Sequence, residues 1–430
     1  MNHPQRPSSR DAAQALDDAD PLRTLRQQFM LPPGLIYLDG NSLGVLPSTT
    51  AARVQQVVQL EWGQGLIGSW NSAGWMDLPQ RVGDKIARLV GAGPGELVCA
   101  DSTSVNLFKV LSAALSITQA DSPQRRVILS ERSNFPTDLY IAEALARERG
   151  FTLQLAEADE LPALLGAGTA VLMLTHVNYR TGRMHDMAAL SRAAHQAGAL
   201  TIWDLAHSAG AVPVDLKRDG ADFAIGCGYK YLNGGPGAPA FVWAHPQHAD
   251  RFWQPLAGWM GHASPFEFTP GYRPAAGIGR YLCGTPAVLA MAALDCGVDT
   301  VLAAEPLGGM AALRAKSLAL TTVFASLVDS RCSGLGLSVV SPQDDAQRGS
   351  QVCLARADGA YAIVQALIAR GVVGDFRAGD GAATPDILRF GFTPLYTRFV
   401  DAWDAVEHLR QVLSTGEWQQ PRFTRRHAVT

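Results

Sequence analysis

The chain has 430 residues, of which 47% are hydrophobic and 17% charged, and its formal net charge is -3. That length accommodates a large domain with a smaller lobe, and the apolar content excludes a disordered or fibrous chain. The charge gives no electrostatic case for nucleic acid or a membrane surface, and no uninterrupted apolar run is long enough to span a bilayer. The six cysteines (Cys99, Cys227, Cys283, Cys296, Cys332, Cys353) are scattered without a C-x-x-C pair, which predicts reduced thiols in a cytoplasmic protein and no metal centre. Residues Met1 to Asp20 are polar and lack a basic start followed by an apolar core, so no signal peptide is expected.

Pro21 to Met30 predicts a short amphipathic helix, stopped by Pro32-Pro33-Gly34. Leu35 to Leu38 reads as a short strand. It feeds Asp39-Gly40-Asn41-Ser42-Leu43-Gly44, either a plain turn or a loop presenting Ser42 to a ligand. Ser48 to Leu60 predicts a helix. The stretch Trp62 to Trp75 carries glycines and three tryptophans and fits no regular element. Trp70 and Trp75 there are expensive to leave in water, so they pack on a partner subunit or line a pocket.

From Glu96 onward the pattern alternates between strand and helix. Strands are expected at Leu97–Ala100, Arg126–Leu129, Phe151–Leu155, Ala170–Thr175, Leu200–Asp204 and Ala221–Ile225. Helices are expected after Thr103, after Asn134 and over Met187–Ala197. This alternation predicts an α/β fold, with a mostly parallel sheet covered on both faces. Ligands of such sheets bind beyond the carboxyl ends of the strands. Thr103, Asp138, Thr175, Asp204 and Lys230 all fall there. A long helical region follows Pro286. A second strand–helix pattern then forms a smaller lobe, with strands at Leu337–Val340 and Ile387–Phe392 and helices at Tyr361–Arg370 and Phe399–Leu413. The basic residues after Trp418 predict a loose tail.

The pivot is Gly226-Cys227-Gly228-Tyr229-Lys230-Tyr231-Leu232-Asn233-Gly234-Gly235-Pro236-Gly237. It holds one lysine between two apolar runs, on a backbone free to approach something closely. Desolvation penalises the cation there, and a neutral amine is the form that condenses with a carbonyl. Taken singly, each neighbour has a plain reading. Thr103 and Ser104 can cap a helix, Asp204 can cap the turn to His207, and Lys230 can be a surface lysine in a hairpin. Taken in this order, they compose a pyridoxal-phosphate site. A helix N-terminus suits the phosphate, Phe135 can stack on a ring, and Asp204 can keep a pyridine nitrogen protonated.

Four stretches carry a specific resemblance: Asn134-Phe135-Pro136-Thr137-Asp138, Asp204-Leu205-Ala206-His207, Tyr229-Lys230-Tyr231-Leu232-Asn233 and Gly258-Trp259-Met260-Gly261-His262. With Tyr37 to Gly44 and Leu388-Arg389-Phe390, they make the chain resemble kynureninase over nearly its whole length. The resemblance implies a fold-type I, aspartate-aminotransferase-like architecture with a seven-stranded-type sheet. It implies an N-terminal segment (1–60) joining the small lobe, a large domain (61–305) and a C-terminal small domain (306–430). It further implies a homodimer with shared sites that hydrolyses L-kynurenine to anthranilate and L-alanine in tryptophan degradation. By the same resemblance, Lys230 carries pyridoxal 5'-phosphate and Tyr229 moves protons. Thr103, Ser104 and Tyr229 hold the phosphate, joined by the partner's copies of Trp259 and Thr285. Phe135 to Asp138, Thr175, Asp204 and His207 surround the ring. Arg389 clamps the substrate carboxylate, and Ser42, Trp70, Asn71 and Thr285 border the aryl group. Animal members that prefer the ring-hydroxylated substrate carry a histidine in the loop equivalent to Trp62–Trp70 and an asparagine at Thr285. This chain has neither, which implies a preference for L-kynurenine. The competing expectations are a cysteine desulfurase, with Cys332 as its thiol, and a nucleotide-binding protein without chemistry. The latter lacks a G-x-G-x-x-G or Walker pattern.

Overall fold

The computed structural model describes residues 7–381 and 384–426. In chain order the strands are β1 (Ile36–Tyr37), β2 (Leu97–Ala100), β3 (Val127–Glu131), β4 (Thr152–Ala156), β5 (Thr169–Thr175), β6 (Leu200–Asp204), β7 (Phe223–Gly226), β8 (Ala240–Ala244), β9 (Ser338–Val339), β10 (Gln351–Arg356), β11 (Val372–Val373), β12 (Asp375–Arg377) and β13 (Asp386–Gly391). The large domain is built on a seven-stranded sheet of order β2-β8-β7-β6-β5-β3-β4. Within it β8 runs antiparallel to both neighbours, and the other pairs are parallel. Helices cover both faces, so alternate residues of each strand enter different cores. Leu129, Leu172, Trp203 and Phe241 pack on one side. Ile128, Val171, Ile202 and Val242 pack on the other.

The small lobe carries the antiparallel sheet β12-β13-β10-β9, backed by helices Gly309–Arg331, Ala360–Ala369 and Phe399–Ser414. The N-terminal segment serves both lobes. Ala13 and Leu38 enter the small-lobe core, and β1 pairs in parallel with β11. Asp17 accepts hydrogen bonds from the Phe399 and Val400 amides at 2.6 and 2.9 Å, capping the last long helix. Leu22, Leu25, Phe29 and Val45 instead join the large-domain core. Helix Gly309–Arg331 has the length and apolarity of a membrane span. Here it is a core helix. Lys316 pairs with Asp20 at 2.7 Å, and Arg314 donates to the Asp345 carbonyl at 2.7 Å.

Several local expectations are corrected. Arg23–Gln28 is a 3-10 turn rather than an α-helix, because Asp20 captures the Leu22 amide and Phe29 already leaves in extended conformation. The helix expected over Ser48 to Leu60 is α-helical at Thr50–Gln56 and continues as a π-helix over Val57–Trp62. A helix at Leu78–Val90 was not anticipated. It buries Leu78, Val82, Ile86 and Val90 and ends at left-handed Gly91. The tail is not loose up to Arg426: Phe423 is buried, and the Arg426 guanidinium lies 4.7 Å from the Tyr361 ring centre.

Asp222 fixes the edge between β6 and β7. It accepts from His195, His248 and the Thr201 amide, each at 2.8 Å. Burial alone would raise its carboxyl, but the hydrogen bonds from His195 and His248 outweigh burial and hold it well below the ordinary range. A depressed carboxyl stabilises the fold above its unfolded value of about 3.9 and loses that contribution as pH falls below it. Asp222→Asn should therefore cost about 3 kcal/mol at neutral pH, the usual scale for breaking a buried pair. It should also flatten the acid limb of the stability curve, as urea titrations at stepped pH will measure. An unchanged midpoint would remove Asp222 from this role.

Candidate active site

The site lies beyond the carboxyl ends of β2, β3, β5, β6 and β7. After β2 the chain passes through Asp101, a non-glycine residue at φ 46°. Buried Lys109 pins this residue by donating to its carboxylate and, at 2.5 Å, to the Tyr281 carbonyl. Ser102 then caps helix Thr103–Asp121 by accepting from the Val105 amide. The cap is thus Ser102, which leaves Thr103 and Ser104 lining the cavity at the helix start. After β3, Pro136 begins helix Pro136–Arg149 at a position where no amide is needed. This sets Phe135, Thr137 and Asp138 against the cavity. Phe135 is 40% exposed, with its ring edge-on to Tyr179 at 5.3 Å.

Thr175 and Asp204 are the last residues of adjacent strands and pair in register. The Thr175 hydroxyl donates to Asn134 and stands 3.5 Å from carboxylate oxygens of both Asp138 and Asp204. The Ala206 amide donates to Asp204 at 2.8 Å. Burial, then the Asp204 charge, raises Asp138 well above the carboxylate range. Burial also raises Asp204, while Lys230 and the Ala206 amide oppose it. His207 is pushed far down by burial and then by the charges of Lys230, Arg389 and Arg377, so its imidazole is neutral. Its Nδ1 is buried and has no hydrogen-bond partner among the described residues.

Lys230 follows β7, with its ammonium 5.7 Å from the Tyr229 ring centre. Two glycines make this loop possible. A side chain at Gly228 would meet the Pro239 carbonyl at 2.4 Å, and one at Gly44 would meet the Lys230 carbonyl at 2.4 Å. The Gly44 amide donates to the Tyr229 carbonyl at 2.7 Å, tying the 39–44 loop to the lysine loop.

The cavity brings together Thr103, Ser104, Phe135, Thr137, Asp138, Thr175, Asp204, His207, Tyr229 and Lys230. Tyr179 and Ala206 also line it and were missed. Tyr179 sits in the turn Asn178-Tyr179-Arg180-Thr181-Gly182 just past β5, which is a readable signal. Arg389 lies behind this wall, fully buried, and donates to the Tyr179 carbonyl at 2.9 Å, to Ser42 at 2.8 Å and to Asp375. Ser42 thus stands with Arg389. Trp70 and Trp259 pack edge-on at 5.7 Å, away from this cavity, and Trp75 joins them 6.0 Å from Trp70. Asn71 follows Trp70 on the short helix Ser69–Ser72. Thr285 lines a separate cavity with Asp101 and Cys283.

A family model described as the kynureninase C-terminal domain matches residues 313–409. The kynureninase of Pseudomonas fluorescens is 55% identical over 98% of this chain and the whole of its own length. The chain belongs to the kynureninase family. The kynureninase of Burkholderia pseudomallei strain K96243 is likewise 55% identical, over 98% of this chain and its own full length. Solved structures with the same fold include a cysteine desulfurase from Thermococcus onnurineus NA1. It has a TM-score of 0.77 and 18% identity, over 91% of this chain and 98% of its own. A cysteine desulfurase from Escherichia coli has a TM-score of 0.74 and 20% identity, over 92% and 98%. At that identity the likeness is one of fold, which is fold-type I. Cys332, the candidate desulfurase thiol, is buried, and burial pushes it up to about 11. That is the opposite of a nucleophilic cysteine and accords with a kynureninase.

Proposed function

We propose that the chain hydrolyses L-kynurenine to anthranilate and L-alanine, in preference to 3-hydroxykynurenine, with pyridoxal 5'-phosphate as cofactor. The observation that carries this reading is the convergence of Lys230, Asp204, His207 and Phe135 on one cavity opposite a helix N-terminus. Phe135 offers a ring face, buried His207 Nδ1 lacks a partner among the described residues, and Asp204 is aimed by the Ala206 amide. These features fit the cofactor's ring, and Thr103 and Ser104 fit its phosphate. When bound, the cofactor supplies the electron sink for breaking the Cβ–Cγ bond.

The chain's own groups do the rest. The Lys230 amine would hold the cofactor covalently and would move the proton at the substrate α-carbon. Asp204 would hold the pyridine nitrogen protonated. Burial, then Cys227, raises the Tyr229 hydroxyl, so it enters as a proton donor toward the substrate carbonyl. Arg389 would receive the α-carboxylate by redirecting the fork it now spends on Tyr179, Ser42 and Asp375, a geometry that lysine cannot supply. Water adds to the carbonyl carbon, and the products are anthranilate and alanine in equal amounts.

The same reading makes the working unit a cytoplasmic homodimer. Trp62, Leu66 and Ile67 are 58%, 60% and 81% exposed, and Val57, Trp62, Trp75, Val288 and Leu289 line an apolar groove. An apolar patch of this kind is covered by a second copy. Trp259 and Thr285, away from their own cavity, then belong to the partner's phosphate. Purified protein incubated with L-kynurenine should release anthranilate and alanine one-to-one by chromatography, with lower kcat/KM for the hydroxylated substrate. Release of sulfur from cysteine without turnover of kynurenine would overturn the reading.

A further inference from the structure

Behind the cavity wall Arg389 and Asp375 are buried, Arg377 reaches Asp375 from a part-exposed edge, and Asp39 stands beside them, bridged to Gly391 at the end of β13. Asp375 and Arg389 are directly paired across β12 and β13. Asp375 accepts from Arg389, from Arg377 at 2.6 Å and from the Ser42 hydroxyl at 3.1 Å. Arg389 spends its Nη donors on Tyr179, Ser42 and Asp375, while its Nε–H is buried without a partner among the described residues. The fourth member is Asp39, just beyond β1. One of its oxygens, Oδ1, is buried with no hydrogen-bond partner among the described residues. An unsatisfied buried oxygen costs far more on a carboxylate than on a neutral carboxyl.

We infer that Asp39 is a specificity-determining residue for the substrate's α-carboxylate: its protonation sets whether the Arg389 cluster carries a net positive charge. This rests on the reading that Arg389 receives the carboxylate. With Asp39 neutral, Arg377 and Arg389 face Asp375 alone, and the cluster is a monocation suited to an anion. Once Asp39 ionises, the cluster is neutral and the anion meets a second carboxylate.

The tyrosines, Arg377 and His207 facing Asp39 do not change charge near neutrality. Burial, then the Asp375 charge, pushes Asp39 up to about 7 against the pull of Arg389, Ser42 and Arg377. Tyr37 on its own strand, Tyr231 from the lysine loop and Tyr396 beyond β13 are all raised by burial and stay neutral. Burial, then Arg389, lowers Arg377, and it remains a cation beside Asp375. His207 is already neutral. A carboxyl raised in this way favours anion binding below its own titration and loses it above. Bound substrate should raise it further, by linkage.

The test compares wild type with Asp39→Asn, both loaded with cofactor. From about pH 6 to about pH 8.5, the wild-type KM for L-kynurenine should rise roughly tenfold more than that of the variant, a single charge acting through a partly buried site. The inhibition constant for L-alanine, which carries the same carboxylate, should follow. Inhibition by 2-aminoacetophenone, an aryl ketone with no carboxylate, should stay flat in both. Asp39→Glu should restore the pH dependence. Parallel KM profiles in wild type and Asp39→Asn would overturn the inference, and so would a matching slope for the carboxylate-free inhibitor. Arg389→Lys separates the two levels. If it leaves KM and turnover unchanged, the arginine clamp itself fails; if it raises KM while Asp39→Asn tracks wild type, only the role of Asp39 fails. Should Asp39→Asn not fold, the wild-type contrast between L-alanine and the aryl ketone decides alone.

Discussion

Replacing Lys230 with alanine should abolish turnover and covalent attachment of the cofactor together. Lys230 is the only lysine lining the cavity among the described residues. Loss of a positioned proton-transfer group alone removes about 10²–10⁴ in rate, and loss of the covalent anchor adds to that. The cofactor should still bind without the lysine, because Thr103, Ser104, Phe135 and Asp204 are untouched. Borohydride reduction of wild type followed by peptide mapping should place the pyridoxyl group on Lys230, and the alanine variant should carry none. A label on another lysine would move the centre of the site.

The second large effect is one of recovery. Trp259→Ala homodimers should bind cofactor poorly, and Lys230→Ala homodimers should be dead. Mixed together and allowed to exchange, they should regain activity. In a mixed dimer one site combines an intact Lys230 with an intact partner Trp259, and the other site holds both defects. For a one-to-one mixture, roughly a quarter of wild-type activity is expected, since half the dimers are mixed and each has one good site. The physical basis is the packing of Trp259 against Trp70 and Phe266, at 5.7 and 5.8 Å, outside its own subunit's cavity. Exchange verified by mass spectrometry without recovered activity would refute the shared site, as would full activity in a sedimenting monomer.

The sheet was legible because its central strands are buried on both faces and therefore read as largely apolar runs closed by small or polar residues, while the edge strand β4 alternates. The site followed from the same logic, since strand ends in an open α/β sheet are where backbone and side chains converge. What escaped depended on distance along the chain. Arg389 could be named as a clamp, but its partners Ser42 and Tyr179 lie 347 and 210 residues away. No local pattern announces such a contact. Asp375 is opposite Arg389 only through a hairpin register that composition does not set. β10 was missed although it is central to the small sheet, because Gln351 and Arg356 mask its short apolar middle. The helix Leu78–Val90 was hidden by the glycine- and tryptophan-rich stretch that precedes it. The tail was misread because Phe423 and Arg426 find aromatic partners on the small lobe that composition does not reveal.

The pairing of β1 with β11, and of Asp17 with the start of helix Phe399–Ser414, bears on how the chain is made. A ribosome delivers residues in order, and the main sheet, from β2 to β8, emerges complete long before its partner lobe. The first helix, Arg10–Asp18, has no docking surface until nearly four hundred more residues have followed it. Closing so long a loop comes late and slowly. During synthesis the helix Arg10–Asp18 therefore waits exposed and chaperone-accessible, and a chain terminated before Phe399 would keep the β1–β11 pairing but leave that helix stranded.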